Sequence, residues 1–236
     1  MIDKIDKDDI KVVILAGGRG TRAYPHTDSL PKPMLPVDGK PIIMRVMRIF
    51  ADQGFRKFVL SLGYRGDVIV DYFANKSLDW EVEFAHTGED TDTGGRIARC
   101  RDLLGPTFMA TYADGLAKVP LDELLRYHRS HGGLVTVTSV PLTSQYGTID
   151  ANDGGRILSF NEKPTLRNYW INAGFMVFEH AVFEHWEGEN LEREVLPRLC
   201  EKGLAYTYRS DVFFKSMDTH KDQLDLEALC RSGMFP

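Results

Sequence analysis

Hydrophobic positions along the chain alternate between short β-branched runs and longer stretches with helical spacing. The run at 11–16 is followed at once by two glycines, which is typical of a buried parallel strand. Between Ile42 and Phe50 the apolar residues recur on one helix face, and Gly54 is a natural end for that helix. The same alternation predicts strands at 11–16, 58–62, 82–85, 107–112 and 134–140, separated by helices at 42–50, 68–73, 94–104 and 121–131, with basic residues on the outer side of the helix at 94–104.

After Pro141 the pattern changes to shorter strands separated by turn signals. Strand–helix alternation up to about residue 140 implies right-handed crossovers and a mainly parallel sheet, to which the later strands would add an antiparallel edge or cap. The predicted fold class is α/β: a single-domain, Rossmann-like three-layer sandwich with a mainly parallel mixed sheet and a small antiparallel subregion. The later strands are expected near 148 and at 157–161, 171–178 and 205–209, and the later helices at 191–200 and 224–230.

The composition is that of an ordinary globular protein, and it narrows the choice of partners. Hydrophobic residues make up 43% and charged residues 27%, and the net charge is −5. An acidic chain lacks the overall basic field of non-specific nucleic-acid binders, so any anion must be held by local basic groups. The N-terminus has no signal-peptide core, and no apolar run approaches the roughly 20 residues of a membrane span. We therefore expect a cytoplasmic protein with no nucleic-acid or membrane partner.

The cysteines and histidines do not suggest a metal centre. Cys100, Cys200 and Cys230 are scattered without a CxxC pair, which favours free, buried thiols in a reducing compartment. His128 and His131 lie three residues apart, but no neighbouring carboxylate or cysteine completes a zinc set. We expect both histidines to lie on the surface.

A glycine-rich segment, Gly17-Gly18-Arg19-Gly20-Thr21-Arg22, follows the first strand. Glycines after a strand let the backbone approach a ligand closely, and their N–H groups can cradle phosphate oxygens. Gly18-x-Gly20-x-x-Ala23 matches the dinucleotide-binding fingerprint, but that motif needs a helix for which prolines at 25, 31 and 33 leave no room. The Walker pattern is absent. What remains is a glycine loop that carries Arg19 and Arg22.

Lys32 lies between two prolines, which hold its ammonium group in one place. A fixed cation beside a glycine loop is suited to neutralising a triphosphate. The alternative is a solvated surface lysine beside a turn, and Lys32 alone would not decide between the two. With the glycine loop before it, we favour phosphate binding.

Two aspartates follow predicted strands. Asp114 lies just past the strand at 107–112, at the carboxyl end where open α/β sheets bind ligands. Asp218 lies just past a predicted aromatic strand that contains Phe213 and Phe214, near the start of a predicted helix. Two carboxylates suit Mg²⁺, which takes its remaining ligands from phosphates and water. Asp218 could instead be a helix N-cap, and the residues alone favour that interpretation.

Two polar residues in the second half of the chain could bind a second substrate. Lys163, fixed by Pro164, could hold a phosphate group, and Asn172, flanked by apolar residues, could bind a hydroxyl group. Glu162 and Lys163 could equally form a surface ion pair of little energetic value.

Several motifs along the chain form one set: Leu15-Ala16-Gly17-Gly18-Arg19-Gly20-Thr21-Arg22, Pro31-Lys32-Pro33-Met34, Gly39-Lys40-Pro41-Ile42, the segment 87–96, Asp114-Gly115, Glu162-Lys163-Pro164, Ile171-Asn172-Ala173-Gly174-Phe175 and Met217-Asp218-Thr219. This set resembles the sugar-1-phosphate nucleotidyltransferases, most closely the glucose-1-phosphate cytidylyltransferase group, over nearly the whole chain from Lys11 onward. The glycine loop, the Glu-Lys-Pro motif and the Asn-x-Gly-Phe motif belong to the whole superfamily. The Thr-Gly-Glu…Thr-Gly-Gly-Arg segment is more particular to the cytidylyltransferases.

The resemblance implies a nucleotide-diphospho-sugar transferase fold and a Mg²⁺-dependent reaction. In that reaction CTP and a hexose 1-phosphate, or a similar acceptor, give a CDP-sugar and pyrophosphate. It also implies an N-terminal tail at 1–10 and a domain at 11–236, whose nucleotide-binding half is about 11–140 and whose sugar-phosphate-binding half is about 141–236. A homo-oligomer is expected.

The resemblance further implies roles for individual residues. Arg22, Lys32 and Lys163 would be catalytic, and Asp114 and Asp218 would bind the metal ion. The nucleotide would contact Leu15, Ala16, Gly17, Gly18, Gly20, Thr21, Arg22, Lys32, Thr93, Gly94, Arg96 and Asp114. The sugar phosphate would contact Gly115, Tyr146, Gly147, Glu162, Lys163, Asn172 and Gly174.

Three differences from the glucose enzymes leave the acceptor open. The chain between Asn75 and Thr87 is shorter, Lys118 stands where those enzymes have an acid, and Lys215-Ser216 precedes Met217 in place of Gln-Pro. The same reaction with UTP or dTTP and a non-catalytic nucleotide-binding subunit are alternatives. A nicotinamide-dependent oxidoreductase is a more distant one.

Overall fold

The computed structural model describes residues 7–20 and 30–235, which form an α/β fold around one seven-stranded sheet. The strands are β1 Lys11–Leu15, β2 Pro36–Val37, β3 Lys40–Pro41, β4 Lys57–Leu62, β5 Glu81–His86, β6 Thr107–Tyr112, β7 Gly115–Ala117, β8 Val135–Thr143, β9 Thr148–Ala151, β10 Ile157–Asn161, β11 Thr165–Glu179, β12 Ala205–Arg209 and β13 Phe214–Ser216. The helices are α1 Ile42–Ala51, α2 Gly66–Ala74, α3 Thr93–Ala98, α4 Leu121–Arg129, α5 Leu196–Glu201 and α6 His220–Arg231. A π-helical turn, Leu191–Val195, leads into α5.

The large sheet has the strand order β12-β8-β11-β6-β1-β4-β5. β1 pairs in parallel with β4 and β6, β4 with β5, and β12 with β8, whereas β11 runs antiparallel to both β6 and β8. The predicted mainly parallel, mixed sheet is confirmed, and β9 and β10 form a small antiparallel sheet. The later strands were expected to add an antiparallel edge or cap; β9 and β10 form a separate antiparallel pair, but β11 lies inside the large sheet rather than at its edge. Its stretch from Ala173 to Phe178 is apolar and buried, as an interior strand requires.

Both faces of the large sheet are covered by helices. On β1, Val12 and Ile14 belong to a core cluster that contains Phe50 of α1, while Val13 and Leu15 belong to a second cluster on the other face. Burying a side chain of this size contributes ~1.5–3 kcal/mol relative to leaving it exposed. The predicted three layers are therefore present, and packing on two sides holds the end of β1 that leads into the glycine loop.

Most predicted elements are present, with shifted ends. The helix predicted at 94–104 ends at Ala98 and is followed by a short 3₁₀ turn, Arg101–Leu103. The last helix begins at His220 because Thr219 caps it. The aromatic strand predicted before Asp218 is present as β13, but its pairing with β7 was not predicted. The sequence patterns missed β2, β3 and β7, since strands of two or three residues carry no periodic signal.

Residues 7–10, expected to belong to a tail, pack on the domain. Ile10 is only 4% exposed and is part of the main core cluster. The ammonium group of Lys7 donates to the carbonyl of Gln53 at 2.7 Å and pairs with Asp122 at 2.5 Å. The packed domain thus extends to the N-terminal side of β1.

The expected burial of the cysteines and exposure of the histidines are confirmed only in part. Cys100 and Cys230 are buried as expected, whereas Cys200 is exposed. His128 is buried rather than on the surface, because its ring fills a polar site under α4 and contacts the Glu179 carboxylate at 3.1 Å. Among the helices of the described residues, none has the length and apolar content needed to span a membrane.

Candidate active site

The glycines of the loop that follows β1 let neighbouring side chains lie close to its backbone. A Cβ atom on Gly17 would lie 1.9 Å from a guanidinium nitrogen of Arg96, so only glycine fits there. Gly20 has a φ of +63°, and a Cβ on it would lie 2.7 Å from the Cβ of Lys32. The glycines predicted to serve a ligand therefore also make room for two basic side chains.

Two of the predicted loop residues, Thr21 and Arg22, lie outside the described residues. Of the loop cations, Arg19 is described: its guanidinium pairs with the Glu89 carboxylate at 2.7 Å and stacks over Tyr64 at 5.0 Å. The side chains of Arg19 and Glu89 are each about half exposed, at 50% and 54%. Such a pair is weak in water, so it can open when an anionic ligand competes for the guanidinium.

Lys32 lies in a short 3₁₀ turn, Lys32–Met34, between Pro31 and Leu35. It is 8% exposed, and its Nζ lies 2.5 Å from Oδ2 of Asp114 and 3.1 Å from Oδ1 of Asp218. The alternative of a solvated surface lysine is wrong. The structure brings together the predicted phosphate-binding cation and both predicted metal-binding carboxylates.

A short antiparallel ladder places the two aspartates side by side. Asp114 immediately precedes β7, and Asp218 follows β13 by two residues; β7 and β13 pair with Ser216 opposite Gly115. The ladder is extended by a hydrogen bond from the Met217 N–H to the Asp114 carbonyl at 2.9 Å. Because the two strands are antiparallel, the start of β7 and the end of β13 lie at the same end of the ladder, so Asp114 and Asp218 come together although they are far apart in sequence.

The Asp218 carboxylate is not the cap of α6. The N-cap is Thr219, whose hydroxyl oxygen accepts from the Asp222 N–H at 3.2 Å, while the Asp222 carboxylate accepts from the Thr219 N–H at 2.9 Å. This is a capping box, which satisfies two helix-end donors. Asp218 is therefore left to accept from Lys32 and, at 3.0 Å, from the Ser216 hydroxyl.

Arg96 on α3 is 4% exposed, so the expectation that the basic residues of this helix face outward is wrong for Arg96. Its guanidinium donates to the carbonyls of Gly17 at 3.0 Å, Gly88 at 3.0 Å and Glu89 at 3.2 Å, and to the Thr87 hydroxyl at 3.0 Å. Burial, reinforced by the nearby positive charge of Arg99, lowers the pKa of Arg96. Arg96 thus ties the glycine loop to the 87–89 segment through backbone carbonyls.

A cleft of about 470 Å³ opens between the glycine loop, α3 and the end of β6. The predicted residues Ala16 and Gly94 do not line the cleft. The Ala16 N–H donates to the Ser61 carbonyl, and a Cβ on Gly94 would lie 2.9 Å from the Glu189 carbonyl oxygen. Acidic residues that the sequence patterns did not single out, Glu89, Asp90 and Asp92, also line the cleft. Of the predicted nucleotide-binding residues, the cleft is lined by Leu15, Gly18, Gly20, Lys32, Thr93, Arg96 and Asp114.

A hydrogen-bonded chain leads from this cleft toward the predicted sugar side. Glu192, on the π-helical turn, accepts from the Thr93 hydroxyl at 2.7 Å and from the Tyr112 hydroxyl. The Asn172 side-chain amide donates to the Tyr112 oxygen at 3.4 Å. Burial and the adjacent charge of Glu192 raise the pKa of Tyr112 above its usual range, so the phenol stays protonated. Sequence reasoning missed Glu192; π-helical turns often occur at functional sites, but no pattern in the sequence marks one.

Three predicted sugar-side residues lie beside the cleft. The Asn172 side-chain oxygen accepts from the Gly174 N–H at 2.7 Å. Gly174 has a φ of +80°, and a Cβ on it would lie 2.4 Å from the Tyr112 ring, so glycine is required there. Gly115 adjoins Asp114 and lies under the Phe214 ring. Asn172, Gly174 and Gly115 therefore border the carboxylate pair and the tyrosine.

The other four predicted sugar-side residues lie at the base of the β9–β10 hairpin. Tyr146 is 77% exposed, and Gly147 lies against Phe160 and Glu162. The Lys163 ammonium is 3.8 Å from the Glu162 carboxylate, and the two side chains are 55% and 64% exposed. Lys163 also has a φ of +47°, an uncommon backbone conformation for a lysine. Within the described residues, none of these four lines the cleft, so the structure does not bring Lys163 to Lys32.

Comparison with known proteins shows that this chain is similar to other proteins over nearly its whole length. Residues 11–222 match the nucleotidyl transferase family. The chain is 36% identical to the "Probable glucose-1-phosphate cytidylyltransferase" of Bacillus subtilis (strain 168), covering 95% of this chain and 97% of the relative. It is 32% identical to the glucose-1-phosphate cytidylyltransferase of Salmonella typhimurium, covering 96% and 98%. Among solved structures, HddC from Yersinia pseudotuberculosis is similar with a TM-score of 0.73 at 25% identity, covering 93% of this chain and 98% of that chain.

Proposed function

Because this chain belongs to the nucleotidyl transferase family, we propose that it joins CTP to a sugar 1-phosphate, giving a CDP-sugar and pyrophosphate. The observation that carries the proposal is the Lys32 ammonium held between Asp114 and Asp218 at the edge of the glycine-loop cleft. CTP is favoured because the relatives in Bacillus subtilis and Salmonella typhimurium, matched over nearly their whole length, bear the names of cytidylyltransferases.

The chemistry requires positioning more than proton transfer. A phosphate oxygen of the sugar 1-phosphate attacks the α-phosphorus of CTP, a new P–O bond forms, and the bond from the α-phosphorus to the bridging oxygen of pyrophosphate breaks. The attacking oxygen is already anionic, so no base is needed. The barrier lies in bringing repelling anions together, and fixed cations with backbone N–H groups reduce it.

Lys32 is the residue proposed to meet the triphosphate. Its ammonium group is nearly buried and borders the cleft, so it can exchange a carboxylate for a phosphate oxygen with little movement. The glycine loop would supply N–H groups to the same phosphates, together with Arg22. Arg96 would act as a positioning residue through its bonds to the carbonyls of Gly17 and Gly88.

The sugar phosphate would bind on the other side of Tyr112. Asn172 and Gly174, which contact Tyr112, would meet the sugar hydroxyl groups. Lys163 would hold the incoming phosphate. Because Lys163 does not line the cleft, this role would require the hairpin base to move toward the cleft when the sugar phosphate binds. Gly115, Tyr146, Gly147 and Glu162 complete the proposed set.

The residues present fit a magnesium ion. Asp114 and Asp218 both reach one cation, the Lys32 ammonium, through carboxylate oxygens, which are the ligands that Mg²⁺ prefers. No cluster of three or more His, Cys, Asp or Glu residues suited to a metal occurs in the part of the chain that the structure describes. Mg²⁺ typically takes one or two carboxylates and completes its shell with substrate phosphates and water. When bound, it would neutralise phosphate charge, and Asp114 and Asp218 would hold it.

The test is pyrophosphate release from CTP, UTP and dTTP, each paired with a series of sugar 1-phosphates, with and without Mg²⁺. We expect the largest kcat/KM with CTP and a hexose 1-phosphate, and loss of turnover when a chelator removes the metal. A preference for UTP or dTTP would correct the nucleotide while keeping the reaction. If nucleotide binds but no pair turns over, the non-catalytic subunit becomes the better interpretation.

A further inference from the structure

A second concave site lies between α1 and α2, and it shares no residue with the active-site cleft. Its volume is about 210 Å³, below the roughly 300–1,000 Å³ of sites for drug-sized ligands, so it suits a small ligand. Its walls come from β3, the first turns of α1 and the end of α2. The lining residues are Lys40, Met44, Arg45, Arg48, Tyr72 and Lys76, here called the basic pocket.

The basic pocket is positively charged, whereas the protein as a whole carries a negative net charge. Its lining holds four basic side chains and, among the described residues, no acidic one, although the whole chain has a net charge of −5. Like charges gathered at a concave surface repel one another and focus a positive field. A bound anion would relieve this repulsion.

Two of the cations are held in place by aromatic rings. The Lys76 ammonium lies 4.7 Å from the centre of the Tyr72 ring, and the Arg48 guanidinium lies 5.3 Å from that of the Trp80 ring. A cation–π contact orients the side chain but leaves its positive charge in place. Arg48 also lies near Asp52, at 3.7 Å, but both side chains are about half exposed, so this pair is weak.

Arg45 forms the rigid back of the basic pocket. It is 4% exposed and donates from Nε to the Val37 carbonyl at 2.8 Å and from Nη2 to the Asp38 carbonyl at 3.1 Å. Its charge is partly offset by the Asp38 carboxylate at 3.3 Å. Lys40 and Lys76, in contrast, are exposed, and within the described residues neither forms an ion pair with a carboxylate.

We propose that the basic pocket binds a small phosphate-bearing anion at a site separate from the active-site cleft. Clustered Lys and Arg donors recognise phosphate oxygens through charge-assisted hydrogen bonds. Lys40 supplies one ammonium group, Lys76 supplies a second that the Tyr72 ring orients, and Arg48 supplies a guanidinium edge. Tyr72 and Met44 provide an apolar wall against which an organic group on the phosphate can pack.

The experiment is calorimetric titration in a Lys32→Ala background, which weakens anion binding in the active-site cleft. The probes are inorganic phosphate, inorganic pyrophosphate and glycerol 3-phosphate; tighter binding of the ester would assign the site to a phosphorylated metabolite, and equal or tighter binding of the inorganic ions to free phosphate. We expect Lys40→Ala combined with Lys76→Ala to weaken binding of the tightest probe by at least about tenfold. Both side chains are exposed, so the fold should be retained, as thermal unfolding will check.

The matched control removes the same charge elsewhere: Lys202→Ala with Lys221→Ala, two exposed lysines outside the basic pocket. We expect the control to bind like the Lys32→Ala parent at equal salt. Equal weakening in both variants would reduce the effect to net charge and overturn the proposal, as would absence of binding in the parent. Titration needs no turnover, so this result is independent of whether the proposed reaction occurs.

Discussion

The two sides of the candidate site differ in how far the fold prepares them. On the nucleotide side, Lys32 is 8% exposed and donates to Asp114 and Asp218, and Arg96 is 4% exposed and donates to the carbonyls of Gly17 and Gly88. On the hairpin side, the side chain of Lys163 is 55% exposed and pairs with an exposed glutamate, Glu162, at 3.8 Å. The nucleotide side is preorganised, whereas the hairpin side is open.

The exposed side chains of the β9–β10 hairpin explain why the hairpin side is open. Ile149 of β9 and Phe160 of β10 face each other and are 56% and 61% exposed, while the opposite face carries the Ser159–Asp150 hydrogen bond. A two-stranded hairpin without a covered face is marginally stable alone. We therefore expect the hairpin side to move when its substrate binds, and the nucleotide side to bind without large movement.

The largest expected effect follows from Lys32→Met, which removes the charge but keeps the length. We expect kcat to fall by ~10²–10³, the loss typical of removing one preorganised electrostatic group. Pyrophosphate release is the measurement, with Lys118→Met, an exposed lysine near Asp114, as the control. A loss in the control as large as in Lys32→Met would show that the cleft responds to net charge only.

Asp218→Asn separates the metal role from a structural one. We expect activity to fall by ~10² with little change in melting temperature, and the Mg²⁺ concentration for half-maximal rate to rise. The matched change is Thr219→Ala, which removes the cap and should cost ~1 kcal/mol of stability with activity kept. If Asp218→Asn instead lowers the melting temperature and leaves activity unchanged, Asp218 caps the helix and does not hold the metal ion.

Arg96→Met tests whether preorganisation comes from the buried guanidinium. The change leaves the carbonyls of Gly88 and Glu89 without the bonds that Arg96 donates, so we expect the free energy of unfolding to fall by ~1–3 kcal/mol and KM for the nucleotide to rise. Arg101→Met, at an exposed residue whose guanidinium lies 5.8 Å from the centre of the Phe183 ring, should change stability by no more than ~1 kcal/mol. Equal stability of the two variants would remove Arg96 as a brace of the loop.

Lys163→Ala should have the smallest effect and should act on one substrate. We expect KM for the sugar phosphate to rise by ~10-fold, equivalent to ~1.4 kcal/mol, with KM for the nucleotide and the melting temperature unchanged. Arg167→Ala, a 69% exposed residue of the same region, is the control. If the kinetics are unchanged, Glu162 and Lys163 form only a surface ion pair. The active site would then not extend to the hairpin side.

Local patterns predicted much of this molecule because they act over a few residues. The β-branched run before two glycines predicted β1 and its loop, and the position of Asp114 after a predicted strand indicated the ligand-binding end of the sheet. The inward direction of Arg96 was missed because its acceptors are mainly backbone carbonyls, which every residue type carries. The cap on α6 was misassigned by one residue, since Asp218 and Thr219 are both good N-cap residues.

The sequence by itself determined the α/β class, the glycine loop and the identity of the charged groups, because these depend on periodicity, backbone freedom and residue chemistry. Only the tertiary structure decided which charges meet. It placed β11 inside the sheet, joined Asp114 to Asp218 through the β7–β13 ladder, and kept Lys163 outside the cleft. Which group a charged side chain pairs with depends on long-range packing. No local sequence pattern encodes the distance between two residues that are far apart in the chain.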